Sequence, residues 1–381
     1  MKRLPIKTNA LSLAFVAGIL LSGPGAAAAP GEVVARIGQE AIVRTVAEGL
    51  DVPWGMAFLP DGRMLVSERP GRLRIVHRDG RLSAPLTGVP EVHARGQGGL
   101  LDVALDPDFA RTRLVYLSFA EPGPGGAGTA VARGRLGEAG LEATQVIFRQ
   151  QPKVGGGLHF GSRLAFSRDG YLFITTGERY QRDRAQQLDN HFGKLIRIWP
   201  DGTVPPDNPF VGRSDALPEI YSYGHRNMQG ATLHPDTGRL WIHEHGARGG
   251  DEINLPEPGR NYGWPVITYG VDYSGLKIGI GTHAPGMEQP VHYWDPSIAP
   301  SGMAFYTGEA LRGWKGNLFI GSINSPALYR LEVDGTRIVR QERLLADLGE
   351  QIRDVRNGPD GFLYLLTDNR NGRVLRIEPA R

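Results

Sequence analysis

The chain has 381 residues, with 43 lysines and arginines, 40 aspartates and glutamates, and no cysteine. The lack of cysteine excludes disulfides, thiolate zinc sites and cysteine nucleophiles. Three of the basic residues and none of the acidic ones fall within residues 1–29, so the rest of the chain carries 40 of each sign. This balanced charge, without a basic tract that interleaves aromatic residues, argues against a nucleic-acid partner.

Residues 1–29 have the pattern of an export signal. A basic start precedes a short apolar stretch from Leu11 to Leu21, and small residues then lead up to Pro30. The apolar stretch is shorter than the roughly 20 residues that cross a bilayer. We therefore expect signal cleavage, no stable membrane insertion, a periplasmic or secreted location, and a single domain over residues 30–381. An uncleaved N-terminal anchor is the alternative.

From residue 53 onward, one phrase recurs six times: a short apolar strand, a turn rich in Pro, Asp and Gly, and a second β-rich strand. Asp and Gly favour tight hairpins, and Pro ends the preceding strand. This repetition predicts an all-β fold, a six-bladed β-propeller with four-stranded antiparallel blades. An array of β-sandwiches would need linkers between domains, and the sequence has no long Ser/Pro-rich break. The phrases begin at Trp54, Leu101, Arg163, Ala231, Gly302 and Asp354.

His159 is a candidate general base. It lies between Gly157 and Gly161, just before the third repeated strand. Glycines allow a backbone to approach a ligand closely, and a histidine can accept a hydroxyl proton near neutral pH, as alcohol oxidation requires. Taken alone, the residue is better explained as a capping or surface histidine.

Two further polar runs precede and follow the fourth repeated strand. The guanidinium of Arg226 would polarise a carbonyl oxygen and stabilise developing charge, but a structural arginine bound to strand-end carbonyls is the alternative. The run from His243 to His245 suggests a metal, yet two imidazoles alone rarely make a zinc site. Alternation along a strand would also place Glu244 on the opposite face. We do not expect a zinc site there.

These features, in this order along the chain, resemble the soluble aldose dehydrogenases that use pyrroloquinoline quinone (PQQ). The resemblance covers nearly the whole chain after the first thirty residues. The further runs that carry it are Gln97-Gly98-Gly99-Leu100-Leu101, Gly224-His225-Arg226-Asn227, Asp251-Glu252-Ile253-Asn254-Leu255, Asn261-Tyr262-Gly263-Trp264-Pro265 and Ile352-Arg353-Asp354-Val355.

The resemblance implies PQQ and calcium as cofactors, together with a set of site residues. The residues with implied catalytic roles are His159 as the base, Arg226 at a quinone oxygen, and Gln97 near the sugar and the base. The implied cofactor contacts are Arg226, Asn227, Arg353 and Ser297. The implied metal residues are Gly246 and Ala247, whose carbonyls would hold the calcium at the quinone, and Glu252 and Tyr262 at a second, structural calcium. For Glu252 a solvated acidic turn is the alternative.

Four positions depart from the soluble glucose dehydrogenases of this family. Leu158 replaces an acid before the base, Ala247 a proline, Asn324 a lysine, and Gln351 a second arginine. In these features the chain resembles the broader aldose sugar dehydrogenase branch. The departures leave glucose preference and tight cofactor retention open.

The leading hypothesis is oxidation of the anomeric hydroxyl of an aldose mono- or oligosaccharide to a lactone. Hydride would pass to the quinone, and an external electron acceptor would reoxidise it. A calcium-dependent lactone hydrolase on a six-bladed propeller is one alternative. The other is a non-enzymatic propeller that binds a glycan or a partner protein.

Overall fold

The computed structural model describes residues 31–380, so the predicted export signal over residues 1–29 lies outside the described part. Within that part the chain is almost entirely β-structure. The helical elements are one turn of α-helix, α1 (Phe109–Thr112), and two 3-10 turns, Arg182–Gln186 and Ala346–Leu348. None of these described helices has the length and apolar character needed to cross a membrane.

The strands follow one another with short connections in most repeats. In chain order they are β1 (Val33–Ile37), β2 (Ala41–Leu50), β3 (Pro53–Phe58), β4 (Met64–Glu68), β5 (Arg72–Val76), β6 (Leu100–Leu105), β7 (Leu114–Gly123), β8 (Gly126–Leu136), β9 (Leu141–Arg149), β10 (Gly161–Phe166), β11 (Leu172–Thr176), β12 (Lys194–Ile198), β13 (Ile220–Tyr223), β14 (Met228–Leu233), β15 (Leu240–Glu244), β16 (Asp251–Asn254), β17 (His292–Trp294), β18 (Pro300–Phe305), β19 (Leu318–Ser322), β20 (Ala327–Asp334), β21 (Arg337–Leu344), β22 (Ile352–Asn357), β23 (Leu363–Thr367) and β24 (Gly372–Pro379).

Six antiparallel sheets form the blades of a propeller, which confirms the predicted all-β fold. Blades 1 to 5 are β3–β5, β6–β9, β10–β13, β14–β17 and β18–β21; blade 6 combines β22–β24 with β2 and β1. Four blades have the predicted four strands, whereas blade 1 has three and blade 6 has five. In blade 6, β2 pairs with β24 from Ala41 opposite Pro379 to Leu50 opposite Gly372. The N-terminal strand therefore closes the ring.

The six repeated phrases of the sequence are the two innermost strands of the six blades. The first strand of each phrase lies innermost, and each contacts the innermost strand of the next blade, including β22 against β3. Gly62, Gly170 and Gly361 end the Pro-Asp-Gly-type turns with φ of 84°, 86° and 81°. Glycine adopts this left-handed conformation without strain, so the turn chemistry specifies the hairpins.

The apolar core lies between the faces of neighbouring blades. For example, Trp241 of blade 4 packs edge to face against Phe305 of blade 5, with 5.4 Å between ring centroids. Both side chains are buried, as are the apolar residues of the inner strands of the other blades. Burial of these surfaces, about 25 cal/mol per Å² of apolar area, holds neighbouring blades together.

A buried cluster of charges crosses the propeller axis. Nη1 of Arg163 lies 3.1 Å from Oδ1 of Asp102 and 3.0 Å from Oδ1 of Asp354. Arg356 completes the cluster at 2.9 Å from a carboxylate oxygen of each aspartate. These residues belong to β6, β10 and β22. Two guanidiniums and two carboxylates thus neutralise one another where the inner strands converge.

The cluster also contacts the other three inner strands. The Arg163 guanidinium lies 4.2 Å from the ring centroid of Trp54 in β3, and its Nε donates to the carbonyl of Gln229 in β14. The backbone of Gly302 in β18 packs directly against Asp354, where any Cβ would overlap the carboxylate. The ion pairs therefore join three blades at the axis, and the same side chains contact the other three blades through a cation–π contact, a hydrogen bond and backbone packing.

We predict that Asp354→Asn strongly destabilises the fold. The substitution leaves the buried Arg163 and the partly buried Arg356 with a single carboxylate, and breaking a buried pair in this way costs about 3–5 kcal/mol. The exposed Asp108, which pairs with Arg111 on the surface, is the matched control, and Asp108→Asn should cost less than about 1 kcal/mol. Urea unfolding of both variants measures the difference. Equal stabilities would show that the axial cluster does not fasten the blades.

Candidate active site

A cavity of about 600 Å³ opens on the propeller axis, at the end where the innermost strands begin. Alternating strand direction brings two kinds of loop to this end: those that enter each innermost strand and those that follow each second strand. Every blade contributes to the wall. One lining residue from each blade, in order, is Trp54, Gln97, His159, Arg226, Ser297 and Arg353.

His159 is buried in this wall and fixed on three sides. Its Nδ1 lies 2.5 Å from Oε1 of Glu178, and its backbone N–H donates to Oε1 of Gln97 at 2.8 Å. Its ring stacks on Tyr180 with 4.6 Å between centroids. Within the described part of the chain Nε2 has no hydrogen-bond partner. The geometry therefore orients the imidazole and leaves Nε2 free to accept a proton.

Charge and burial determine the protonation of this pair. Burial lowers the pKa of His159 to about 2, and the positive charge of Arg226 acts in the same direction. Burial raises the pKa of Glu178 to about 7, against the opposing effect of Arg226. The imidazole is therefore neutral at physiological pH. When it donates its Nδ1–H to Glu178, the lone pair is on Nε2.

The loop that carries His159 is held in a strained conformation. His159 itself has a φ of 55°, and Arg179 and Tyr180 in the facing loop have φ of 54° and 61°. Arg179 lies 3.6 Å from the centroid of the Phe160 ring and donates to the carbonyls of Gly156 and Leu158. Such strain persists only where surrounding contacts enforce it, and it is common at functional sites.

Arg226 has the contacts of a structural arginine and also lines the cavity, so its role at a ligand oxygen stays a prediction. Its Nη1 donates to the carbonyls of His245, at 3.1 Å, and of Gly246, as a structural arginine would. It also lines the cavity, and its Nε is buried without a partner among the described residues. Its backbone N–H donates to Glu244 at 2.6 Å. The guanidinium is thus rigidly positioned beside the cavity.

Asn227 lies behind the cavity wall and does not line the cavity itself. Its Oδ1 accepts the backbone N–H of Gly161 at 3.1 Å, which supports the start of β10. Its Nδ2 is buried without a partner in the described region. Asn227 therefore positions the wall, and its direct contact with a cofactor stays a prediction.

Arg353 and Ser297 both line the cavity, and each is held by a carboxylate. Arg353 donates through Nε and Nη2 to Asp368, with Nε at 3.1 Å. The Ser297 hydroxyl donates to Asp251 at 2.7 Å and accepts the N–H of Ala299 at 3.2 Å. Both polar groups are thus preoriented, which reduces the entropy lost when a ligand binds.

Gly246 and Ala247 form the part of the wall next to Arg226. The carbonyl of Gly246 accepts from Arg226, and its N–H donates to Asp251 at 2.8 Å. This hydrogen bond joins the turn to the segment that carries Ser297, because the same aspartate receives the Ser297 hydroxyl. The backbone oxygens predicted to hold calcium therefore border the cavity.

Glu252 borders a second, much smaller space that adjoins the cavity and shares Gly246 with it. Glu244 and Tyr262 border the same space. Nδ2 of Asn254 donates to Glu244 at 3.1 Å and to Glu252 at 3.2 Å, while its Oδ1 is buried without a partner among the described residues. Burial and the charge of Glu244 raise the pKa of Glu252 to about 8. Glu252 is therefore not the solvated acid considered as an alternative.

The hydroxyl of Tyr262 forms its hydrogen bonds within the protein. It donates to the carbonyl of Leu255 at 2.8 Å and accepts the N–H of Glu257 at 3.0 Å. In residues 31–380 no three His, Asp or Glu side chains gather closely enough to hold a metal by themselves. A cation beside Glu252 would therefore need backbone or amide oxygens in addition to the two carboxylates.

Sequence reasoning missed the acidic residues that hold these side chains. Glu178, Glu244 and Asp368 each end, or follow by one or two residues, the second strand of a repeat. Their partners are His159, His225 and Arg353. Glu68 occupies the same place in blade 1 and pairs with Arg72. This recurrence within the repeat is a sequence signal that could have identified them.

The wall of the cavity is strongly cationic. Its lining contains four arginines, Arg69, Arg226, Arg248 and Arg353, but only one carboxylate, Asp295. Such an excess of guanidinium groups favours an anionic ligand, because carboxylates match their planar donor pattern.

Comparison with known proteins identifies the family. The family described as Glucose / Sorbosone dehydrogenase matches residues 50–376. The aldose sugar dehydrogenase YliI of Escherichia coli strain K12 is 50% identical over 343 residues, covering 88% of this chain and 92% of the relative. Quinoprotein glucose dehydrogenase B of Acinetobacter calcoaceticus is 25% identical over 410 residues, covering 85% of each chain.

Solved structures agree with the sequence relatives. The apo-form of the soluble aldose sugar dehydrogenase from Escherichia coli superposes with a TM-score of 0.87 at 49% identity, covering 89% of this chain and 99% of that one. The PQQ-bound form of an aldose sugar dehydrogenase from Streptomyces coelicolor gives 0.73 at 32% identity, covering 90% and 99%. These findings confirm the resemblance: the chain belongs to the glucose/sorbosone dehydrogenase family and is an oxidoreductase that acts on sugars.

Proposed function

We propose that the protein oxidises the anomeric hydroxyl of aldose sugars to lactones, with PQQ as its cofactor. One observation carries the proposal: a neutral histidine with a free Nε2 and an arginine-rich wall share a single axial cavity. The quinoprotein relative and the PQQ-bound structure of a relative support the choice of cofactor.

The residues of the wall fit a planar cofactor with several carboxylates. Arg226 and Arg353 would hold it, and the buried Nε of Arg226 and Nδ2 of Asn227 are donors without partners among the described residues. The hydroxyl of Ser297 would border its ring. When bound, PQQ supplies an electrophilic carbonyl carbon that accepts hydride from the sugar.

His159 would take the proton of the anomeric hydroxyl at Nε2 as hydride leaves the anomeric carbon. Loss of one proton and one hydride converts the aldose to the lactone, and the electron pair leaves through an external electron acceptor. Glu178 at Nδ1 stabilises the imidazolium that forms. Gln97 acts as a positioning residue, since it holds the His159 backbone.

Calcium fits the oxygen donors on this side of the propeller. Gly246 and Ala247 line the cavity, where a cation would be shared with a carboxylate ligand and would compete with Arg226 for the Gly246 carbonyl. A second calcium would be held by Glu252 and Glu244, the unpartnered Oδ1 of Asn254 and a carbonyl near Tyr262. A divalent cation there would offset the burial of Glu252 and its repulsion from Glu244, which now raise the pKa of Glu252.

The alternatives fit the geometry less well. A calcium-dependent lactone hydrolase would need acidic ligands on the axis, but Asp102 and Asp354 are both engaged by Arg163 and Arg356. A purely binding propeller would have no use for an imidazole oriented by a buried carboxylate. The export signal proposed for residues 1–29 agrees with a periplasmic or secreted enzyme that passes electrons to an external acceptor.

The proposal predicts a defined pattern of sugar oxidation. Apo-protein reconstituted with PQQ and calcium should reduce an artificial dye with several aldose mono- and disaccharides at comparable efficiency. Breadth is expected because Leu158, beside the base, offers no hydrogen bond by which to select a neighbouring hydroxyl. Ketoses and methyl glycosides should not react. Equal turnover of a methyl glycoside would contradict anomeric oxidation, and lactone hydrolysis without quinone would favour the hydrolase.

A second prediction from the proposed function concerns His159 as the base. His159→Ala should lower kcat by about a hundredfold or more while PQQ affinity changes little, because general base catalysis contributes that much. Glu178→Gln should give a smaller loss, since it removes the group that orients the ring and stabilises its cation. His283→Ala, an exposed histidine outside the cavity, is the control. Unchanged kcat in His159→Ala would remove this residue from the mechanism.

A third prediction from the proposed function concerns the structural calcium. Calcium should raise the thermal midpoint of the apo-protein, because a ligand at 100 times its Kd stabilises the folded state by about 2.7 kcal/mol. Glu252→Gln should abolish this increase. Without calcium at pH 7 it should be at least as stable as wild type, because folding raises the pKa of Glu252 and a buried neutral amide avoids that cost.

Glu257→Gln, an exposed residue of the neighbouring turn, is the matched control and should keep the full calcium effect. Chelation should also remove dye-reduction activity, and calcium should restore it. An undiminished calcium shift in Glu252→Gln would place the ion elsewhere.

A further inference from the structure

Arg69 is a cation of the cavity wall that has no role in the proposed mechanism. It lies between β4 and β5 of blade 1, is half-buried, and lines the cavity. Its Nη2 donates to the carbonyl of Gly96. Its Nε is buried without a partner, and over residues 31–380 no hydrogen bond engages Nη1. Two of its three guanidinium nitrogens, Nε and Nη1, therefore have no hydrogen-bond partner in the described part of the chain.

Among the described residues, no carboxylate forms an ion pair with Arg69. Asp368, whose charge acts on Arg69, is already bound by two nitrogens of Arg353. Burial lowers the pKa of Arg69, and the charge of Arg353 lowers it further against the attraction of Asp368. Two guanidiniums thus share the field of one carboxylate at this edge of the cavity. A buried cation in excess is costly unless an anion binds beside it.

On the side of Arg353 away from blade 1, the cavity wall offers neutral amides. Nδ2 of Asn324 donates to the carbonyl of Ser297 at 3.3 Å, and Nε2 of Gln351 donates to the carbonyl of Ile323 at 2.9 Å. These amides are therefore committed to the protein and carry no charge. The cationic groups available to an anion near Arg353 are concentrated toward blade 1, where Arg69 lies.

We propose that Arg69 is a cofactor-binding residue that forms a carboxylate clamp with Arg353. The inference rests on the proposed function, and it assigns one carboxylate of PQQ to this pair. A carboxylate placed between two guanidiniums would satisfy the free donors of Arg69 and neutralise the excess charge. This clamp would supply the charge that Asn324 and Gln351 do not provide, so cofactor affinity would depend on a residue of blade 1.

Direct binding measurements test the clamp without relying on turnover. PQQ is titrated into calcium-loaded apo-protein while tryptophan fluorescence is followed, since Trp54 lines the cavity. Arg69→Gln should raise the Kd for PQQ at least tenfold, and Arg69→Lys should recover part of the loss because it keeps the charge. Arg370→Gln is the matched control: Arg370 is exposed and borders a surface depression beside Arg69, not the cavity. It should bind PQQ within about twofold of wild type.

The trimethyl ester of PQQ, which lacks carboxylate charges, separates charge recognition from a structural effect. Arg69→Gln should weaken the ester far less than PQQ itself. Equal weakening of both ligands, or a Kd for PQQ in Arg69→Gln equal to that of wild type, would overturn the clamp. If the wild-type protein bound no PQQ at all, the proposed function would fail, and that outcome is distinct from failure of the clamp alone.

Discussion

The ionic cluster on the propeller axis is the constraint on which the site depends. Arg163 is held between Asp102 and Asp354, and its guanidinium lies under Trp54, whose ring also lines the cavity. Buried charges are expensive unless all partners are present, so the cluster tolerates little variation in how the inner strands meet. Because the site loops enter or leave these strands, the position of the cluster determines where the loops converge. The ionic cluster that holds the inner strands together therefore lies directly beneath the floor of the cavity.

The repeat also supplies the chemistry of the rim. An acidic residue at or just after the second strand reaches the same end of the propeller in blades 1, 3, 4 and 6. In blade 3 this acid is Glu178, which orients His159, and in blade 6 it is Asp368, which orients Arg353. One structural element, a strand-end carboxylate, thus holds an imidazole in one blade and a guanidinium in another. The carboxylate recurs from blade to blade, whereas the loops that enter the innermost strands differ. These loops therefore determine which side chain each carboxylate holds.

Local patterns in the sequence predicted the features that depend on neighbouring residues. The repeated phrase of strand, turn and strand identified all six inner hairpins, with a turn rich in Pro, Asp and Gly in most of them, and glycines marked the loop of His159. The closure of blade 6 could not be found in this way, because β2 pairs with β24 across the whole length of the chain. The place of Asn227 behind the wall is set by its hydrogen bond to Gly161 in another blade, and the commitment of the Tyr262 hydroxyl is set by the fold of its own turn. Sequence order indicates which residues approach the axis, but not which of them reach the cavity.

The positive charges that line the cavity exceed the negative ones, so they favour an anionic ligand over water alone. Burial is the main cause of the depressed pKa of His159, and the positive charge of Arg226 beside it lowers the pKa further. An anion bound against Arg226 would offset that positive charge and raise the basicity of His159 toward the value that proton transfer at neutral pH requires. Under the proposed function, the negative charge of the cofactor would supply that anion, so binding of the cofactor and activation of His159 as the base would be coupled through Arg226.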